Sequence, residues 1–529
     1  MNRRDFMKSS GVVVLSHGVP RGLCGKDEAT SSPPEGGSSL RVGFAERDIT
    51  PDVGMEMPGG YMKSYFEGFH DRCKVRVAVF NDGATRVALV GVDAGGIPRV
   101  VVQAARKQIQ EKCGIPPVAV LVGASHSHSS GPVEGVLPGQ YDHAPAFVQH
   151  LAYDMSTMAD AGFMKRVVEQ IAGAVSEAND TLVGARCGVG TGSENQVAFN
   201  RRLRMKNGLT YTHPGHGNPD IIDYAGPTDP QVGVIGAWDT KGRLLGCIVN
   251  YTCHATTNPG SGADISANWI YFMEEAIRGA MGAEVPVIFL QGAAGDVTQV
   301  DNLSPYQDPP GEQWAQLVGG RVGAEAAKTL WTMVQGNLMP LDAQSKVLHI
   351  KRRVPSQEHV QRANDLVKQD IKVVGETDWA FAKETVMLDA LLKTEPVAEV
   401  EAQAIQIGPV VFVSNPAELF CQYGLDLKAK SHFPQTYVVS YANGTVGYVP
   451  TEEAFGPHGG GYETRLSTAS NLEVTAGTQM VEAGLELVAR MKPGPVPTRP
   501  KASSSGGKEN RTWNTNHPWP YGDVPPQLD

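Results

Sequence analysis

The stretch Val118–Pro132, VAVLVGASHSHSSGP, decides how the chain is read. The apolar run Val118 to Val122 reads as a buried strand, and it opens directly onto His126 and His128, two imidazoles separated by one residue. If the extended conformation continues, side chains two apart share a face, and both rings enter the same space at the strand's end. A polar loop with two neighbouring histidines accounts for the same letters. A metal or catalytic reading therefore needs partners from elsewhere in the chain.

Working outward, strand and helix patterns alternate. Val75 to Phe80 and Arg86 to Val92 read as a hairpin around Asn81-Asp82-Gly83, since Asp-Gly supplies positive φ in a tight turn. Arg99 to Cys113 reads as a helix closed by Gly114. A second hairpin joins Gln231 to Trp238 with Leu244 to Tyr251. A helix from Ala267 to Met281, a strand Val287 to Gln291 and a helical region Gln313 to Met333 follow. Strands are expected at Val347 to Arg352, Val400 to Ile407, Val410 to Ser414 and Tyr437 to Tyr441. Helices are expected between 356 and 393, near Leu419 to Lys430, and from Thr478 to Met491. The pattern is α/β, with mixed β-sheets covered by helices. In such folds functional groups gather where strands end.

The chain has 529 residues and a net charge of -10, which argues against nucleic acid as a partner. No apolar run approaches the roughly 18 residues of a membrane-spanning helix. The amino terminus, MNRRDFMKSSGVVVLSHG, carries Arg3-Arg4 before a short apolar stretch, the order of a twin-arginine export signal, so an exported, periplasmic or extracellular protein is expected. Residues 1–38 read as signal and linker, 39–492 as one folded body, and 493–529 as a Pro/Gly/Ser-rich disordered tail. Seven cysteines lie scattered without CxxC spacing, which disfavours a structural zinc site or a disulfide framework. Cys253, beside His254, reads as a small buried apolar residue.

Further strand exits carry chemistry. NYTCHATT places His254 after the strand Leu244 to Val249, as a hydrogen-bonded histidine or a ligand. VVFVSNPAELF places Glu418 at the expected start of a helix, where a carboxylate also serves the dipole alone. NGTVGYVPTEEAFGPHGGGYE holds Tyr448, Glu452, Glu453 and Tyr462 among glycines. Two imidazoles, a carboxylate and another oxygen donor suit zinc with an open position for water. Spacing alone does not join them, because they are scattered across more than three hundred residues.

The motifs together resemble the neutral (non-lysosomal) ceramidase family. GFAERDITPDVGMEMPGGY resembles the family's opening, ASHSHSSGP its THTHSGP segment, and NYTCHATT the site of its second zinc histidine. FLQGAAGDVT resembles the segment ending in GDVS, NPAEL its PGE, and GYVPTEEAFGPHGGGYE its tyrosine-bearing segment with a downstream Tyr-Glu. Six segments in family order cover roughly residues 40 to 490. The resemblance implies a ceramidase-like catalytic-domain fold and Zn2+ held by His126, His254, Glu418 and Tyr448. It also implies that His128 and Tyr462 line the reacting carbonyl and that Arg201 of AFNRR stands near the site, although a basic turn shared with Arg202 and Arg204 explains Arg201 equally well. Asp296 reads as a turn or supporting carboxylate.

Two departures qualify that reading. The family's active-site serine after Gly-Asp-Val is Thr298 here, so the resemblance implies a catalytic role for Thr298, which keeps the hydroxyl but stiffens χ1. After Met491 only the tail follows, so the family's carboxy-terminal immunoglobulin-like domain is expected to be missing. The resemblance implies hydrolysis of the amide of an N-acylsphingosine-type lipid, with a small-molecule or lipid substrate and transient contact with a lipid surface; no protein partner is inferable. Two alternatives stay open: an exported metal enzyme acting on another amide, ester or carbohydrate-derived compound, and a metal-containing binding protein without catalysis.

Overall fold

The computed structural model describes residues 40–282 and 284–499. The expected export signal, the linker and residues 500–529 of the expected tail lie outside the described residues.

Runs of β-branched and small apolar residues make strands that are buried on both faces: Lys74–Asn81 (KVRVAVFN), Arg86–Val92 (RVALVGV), Val120–Ala124 and Val287–Gln291. They belong to an eight-stranded sheet. Its order is Val287–Gln291, Leu244–Tyr251, Gln231–Asp239, Val183–Ser193, Arg41–Asp48, Lys74–Asn81, Arg86–Val92 and Val120–Ala124. The two outermost pairs are parallel and the interior pairs are antiparallel. A four-stranded sheet of Leu341–Lys351, Val397–Ile407, Val410–Ser414 and Gln435–Val439 ends in another parallel pair.

The eight-stranded sheet curls until its two edges approach each other. A side chain on Gly91 would put its Cβ 2.6 Å from the Phe289 carbonyl, so glycine permits that approach. The end of strand Gln435–Val439 is stitched between the edges, with Ser440 N–H donating to Gln291 O and Ala124 N–H to Tyr441 O, both at 3.0 Å. A continuous apolar core of Val90, Leu121, Ile288, Leu290, Phe412 and Val439 fills the junction. Strands from both sheets therefore deliver their carboxyl ends to one place: His126 and His128 follow the end of Val120–Ala124, and His254 follows the end of Leu244–Tyr251.

Most expected elements fall within a few residues of their observed bounds. The helix Arg99–Cys113 ends at Gly114 with φ 68°, as its glycine suggests. The 20-residue helix Ala161–Asp180 has no counterpart in the expectation. A further difference concerns Glu418. The helix begins only at Cys421, and Glu418-Leu419 forms a short strand paired in parallel with Tyr448-Val449. Glu418 is thus placed by a ladder, not by a helix dipole.

Helices Ala146–Tyr153, Gln357–Leu366 and Glu376–Leu391 bury a cluster of their own, including Val148, Leu151, Trp379, Val386 and Leu388. Met62 and Met158 pack against this cluster, which ties it to the chain around residues 57–64.

Candidate metal centre

His126 does not continue the strand. Its φ of 61° is left-handed, a conformation that costs a non-glycine residue energy and persists only where the surroundings fix it. The two imidazoles still converge, with ring centroids 4.7 Å apart and planes nearly perpendicular, but a turn brings them together where extended alternation was expected. Tyr441 stacks on the other face of His126 at 4.1 Å.

His126 and His254 are oriented by the same device. Nδ1 of His126 donates to Gly95 O and Nδ1 of His254 donates to Ala294 O, each at 2.6 Å. A carbonyl oxygen only accepts, so Nδ1 carries the proton in both neutral rings and Nε2 presents a lone pair. Those two Nε2 atoms lie 3.3 and 3.4 Å from Oε2 of Glu418. That oxygen is buried and has no hydrogen-bond donor among the described residues. A buried carboxylate oxygen facing two nitrogens that have no proton to give is costly unless a cation sits among them. The donor chemistry therefore fits a metal ion.

His128 differs. Its Nε2 is 3.2 Å from His126 Nε2, and among the described residues no backbone carbonyl holds its other nitrogen. Ring nitrogens of His126, His128 and His254 all lie within 4.8 Å of one another, so geometry alone admits His128 as a ligand too. Burial, with His126 and His254 adjacent, keeps the His128 ring well below its ordinary pKa. Burial also lowers His254, to about 3 with Arg201 beside it, whereas at His126 the Glu418 carboxylate outweighs burial and the shift is upward. Burial alone would raise Glu418; without a metal, a proton on His126 or His254 facing it would outweigh burial and hold the carboxyl well below the usual carboxylate range.

The register Glu418↔Tyr448 brings the fourth expected ligand to the same end of the ladder. The Tyr448 hydroxyl is 3.1 Å from that of Tyr462, and the Arg201 guanidinium lies 5.3 and 5.1 Å from the two ring centroids. Arg201 is buried, and its Nη1 donates to His254 Nε2 at 3.2 Å, Nη2 to Gly295 O at 2.8 Å and Nε to Glu463 at 2.7 Å. It is not a solvated basic turn. Thr298 is buried next to Val297, whose carbonyl accepts from His254 N–H at 3.0 Å. The Thr298 hydroxyl itself accepts from Val300 N–H at 3.2 Å and makes no hydrogen bond to His126, His128, His254, Glu418, Tyr448, Tyr462 or Arg201. Asp296 supports the site from behind, accepting from Asn200 at 2.8 Å and from Cys421 N–H at 2.7 Å.

Several contributors escaped the sequence reading. Glu463, fully buried, fixes Arg201 and was visible only as the letter after Tyr462. Gln291 is also fully buried. Its amide donates to Ser125 O at 3.1 Å and Cys253 O at 2.7 Å and accepts from Cys253 N–H at 3.2 Å, bridging the residues just before His126 and His254. Glu134 lies against Gly95 and Gly96, and burial pushes its carboxyl up to about 7. Nothing local marks these residues, since each acts across a large sequence separation.

The class these features define is the neutral ceramidase fold. The crystal structure of neutral ceramidase from Pseudomonas aeruginosa superposes with a TM-score of 0.63 at 20% identity, over 87% of this chain and 76% of that one. A ceramidase complexed with C2 gives 0.62 at 18% identity, over 88% and 77%. In sequence the chain is related to the neutral ceramidase of Pseudomonas aeruginosa, 26% identical over 285 residues, which is 51% of this chain. The matched region spans only 38% of that relative's length. No family model matches the chain.

Proposed function

We propose that the chain is a metal-dependent amidohydrolase that cleaves N-acylsphingosine-type lipids. The observation that carries this reading is the meeting of His126 Nε2, His254 Nε2 and the donorless Glu418 Oε2 at one point. Two imidazoles, a carboxylate and the Tyr448 oxygen form a donor set of the kind zinc takes. Zinc bound there supplies Lewis acidity and lowers the pKa of water.

The chain's own groups do the rest. As water adds to the amide carbon, negative charge develops on the carbonyl oxygen, and the Tyr462 hydroxyl donates a hydrogen bond to it. Arg201, held as a cation by Glu463, sets positive charge beside Tyr448, Tyr462 and His254. His128, the one ring of the three with no carbonyl partner among the described residues, takes the proton that the attacking water loses and passes it from Nε2 to the leaving nitrogen as the C–N bond breaks. The products are a fatty acid and an amino alcohol. The relatives' names support ceramide as the substrate.

Purified protein loaded with zinc and assayed on ceramides against other acylated amines and sugar esters tests the reading. Ceramide turnover that stops on chelation is the expected result. Turnover confined to another amide or ester would move the substrate, and stoichiometric zinc without turnover on any of them would leave a binding protein. We also propose export through the Arg3-Arg4 signal. An export fusion with both changed to lysine should stay inside the cell, and unchanged export removes this claim.

A further inference from the structure

The loop Met57 to Ser64 passes against the His128 ring. Gly59, with φ 92°, is exposed and touches the His128 ring so closely that a Cβ there would stand 2.2 Å from Nδ1. Two residues on, Tyr61 is half-buried and packs its ring on Phe381 with centroids 5.1 Å apart. Among the described residues the Tyr61 hydroxyl has no hydrogen-bond partner. It stands within electrostatic reach of Tyr462, Glu384, Glu418 and Glu463, and burial with these neighbours pushes the phenol well above its ordinary pKa.

The helix Glu376–Leu391 fixes this placement. Lys383, fully buried, donates from Nζ to the Tyr61 carbonyl at 2.5 Å and to the Ser156 hydroxyl, and pairs with Glu384 at 3.0 Å. Glu384 in turn accepts from the Thr468 hydroxyl, and Phe381 carries Arg465 over its ring at 3.7 Å. Consecutive residues of one helix thus grip two segments, one bearing Tyr61 and the other following Tyr462. A buried lysine and glutamate are costly to desolvate, and here each is spent on positioning a loop.

We propose that Tyr61 is a further substrate-binding residue whose hydroxyl hydrogen-bonds the polar head of the acylated amino alcohol, and that the buried Lys383–Glu384 pair is a positioning device setting its distance from Tyr462. The proposal rests on the amidohydrolase reading for the substrate's class. A phenol without a protein partner, two residues from the glycine that touches His128, serves a hydroxyl or carbonyl of the bound molecule, and loss of that bond falls on substrate binding and orientation.

The test measures ceramide kcat/KM, calorimetric binding of sphingosine, metal content and melting temperature. It compares parent, Tyr61→Phe, the double variant Lys383→Met/Glu384→Gln, and all three changes together. Changing both charges together avoids leaving one ion unpaired. Tyr61→Phe should lower kcat/KM and sphingosine affinity about fivefold with metal content and melting temperature unchanged. The double variant should show the same loss, and adding Tyr61→Phe to it should cost nothing further, because both act through one contact. A purely structural pair would instead multiply with Tyr61→Phe, and that outcome overturns the positioning role. Parental kcat/KM and binding in Tyr61→Phe, a variant that leaves the fold untouched, overturns the binding role. A parent without turnover whose sphingosine binding is nevertheless weakened by Tyr61→Phe sinks the amidohydrolase reading and leaves Tyr61 standing.

Discussion

His126 and His254 each donate their Nδ1 proton to a backbone carbonyl and so present an unprotonated Nε2 toward the same point in space. His254→Ala removes one of those lone pairs and leaves Glu418 with a single imidazole beside it. Bound metal should fall well below one per chain and activity should vanish; full zinc content measured by atomic emission would remove His254 from the ligand set. His128 has no such anchor, so His128→Ala should keep the metal and lose turnover. If it loses metal as readily as His126→Ala, the three-histidine grouping holds and His128 is a ligand. Thr298 is a different case, because its hydroxyl is already engaged with Val300 N–H. Thr298→Val should cost about 1 kcal/mol of stability in denaturant melts, and Thr298→Ser should restore most of it. A large loss of kcat/KM in the valine variant without loss of stability would return Thr298 to a direct role.

At the scale of elements, the site depends on strand ends being stitched to one another. Gln291 ends strand Val287–Gln291 and bonds with its side chain to the residues before both histidines. Gln291→Leu keeps the volume and leaves Ser125 O, Cys253 O and Cys253 N–H without that partner. Stability should fall by on the order of 3 kcal/mol, and zinc affinity about 10- to 100-fold, the usual effect of removing a group that orients ligands. Unchanged zinc affinity by competition titration would show that Gly95 and Ala294 alone suffice to hold the rings. The two-residue ladder Glu418↔Tyr448 works in the same way, since parallel pairing puts a carboxylate and a phenol side by side. The helix Glu376–Leu391 adds a brace that grips loops through Lys383 and Glu384.

For the molecule as a whole, the proposed metal couples strands from two sheets, so its binding is linked to folding. Melting temperature should rise with added zinc, fall on chelation, and respond to neither in His254→Ala. A parent whose melting is indifferent to zinc would contradict the linkage. By itself the sequence determined the local elements: the helix Arg99–Cys113 with its closing glycine, the hairpins, and the apolar strands whose ends carry histidines. It also held a signal that went unread, since Asp160 caps the helix Ala161–Asp180 by accepting from Phe163 N–H at 2.7 Å, and the buried Phe163, Val167, Ile171 and Ala174 follow helical spacing. The expected ligands came from the order of six motifs and not from spacing, because no local rule links His126 to Tyr448. Only the tertiary structure decided that His126 turns through a left-handed residue, that Glu418 sits on a ladder, that Arg201 is buried on Glu463, and that Lys383 reaches Tyr61. Each of these depends on contacts between residues far apart in the chain, where burial and hydrogen bonding to a distant partner outweigh the propensities of neighbouring residues.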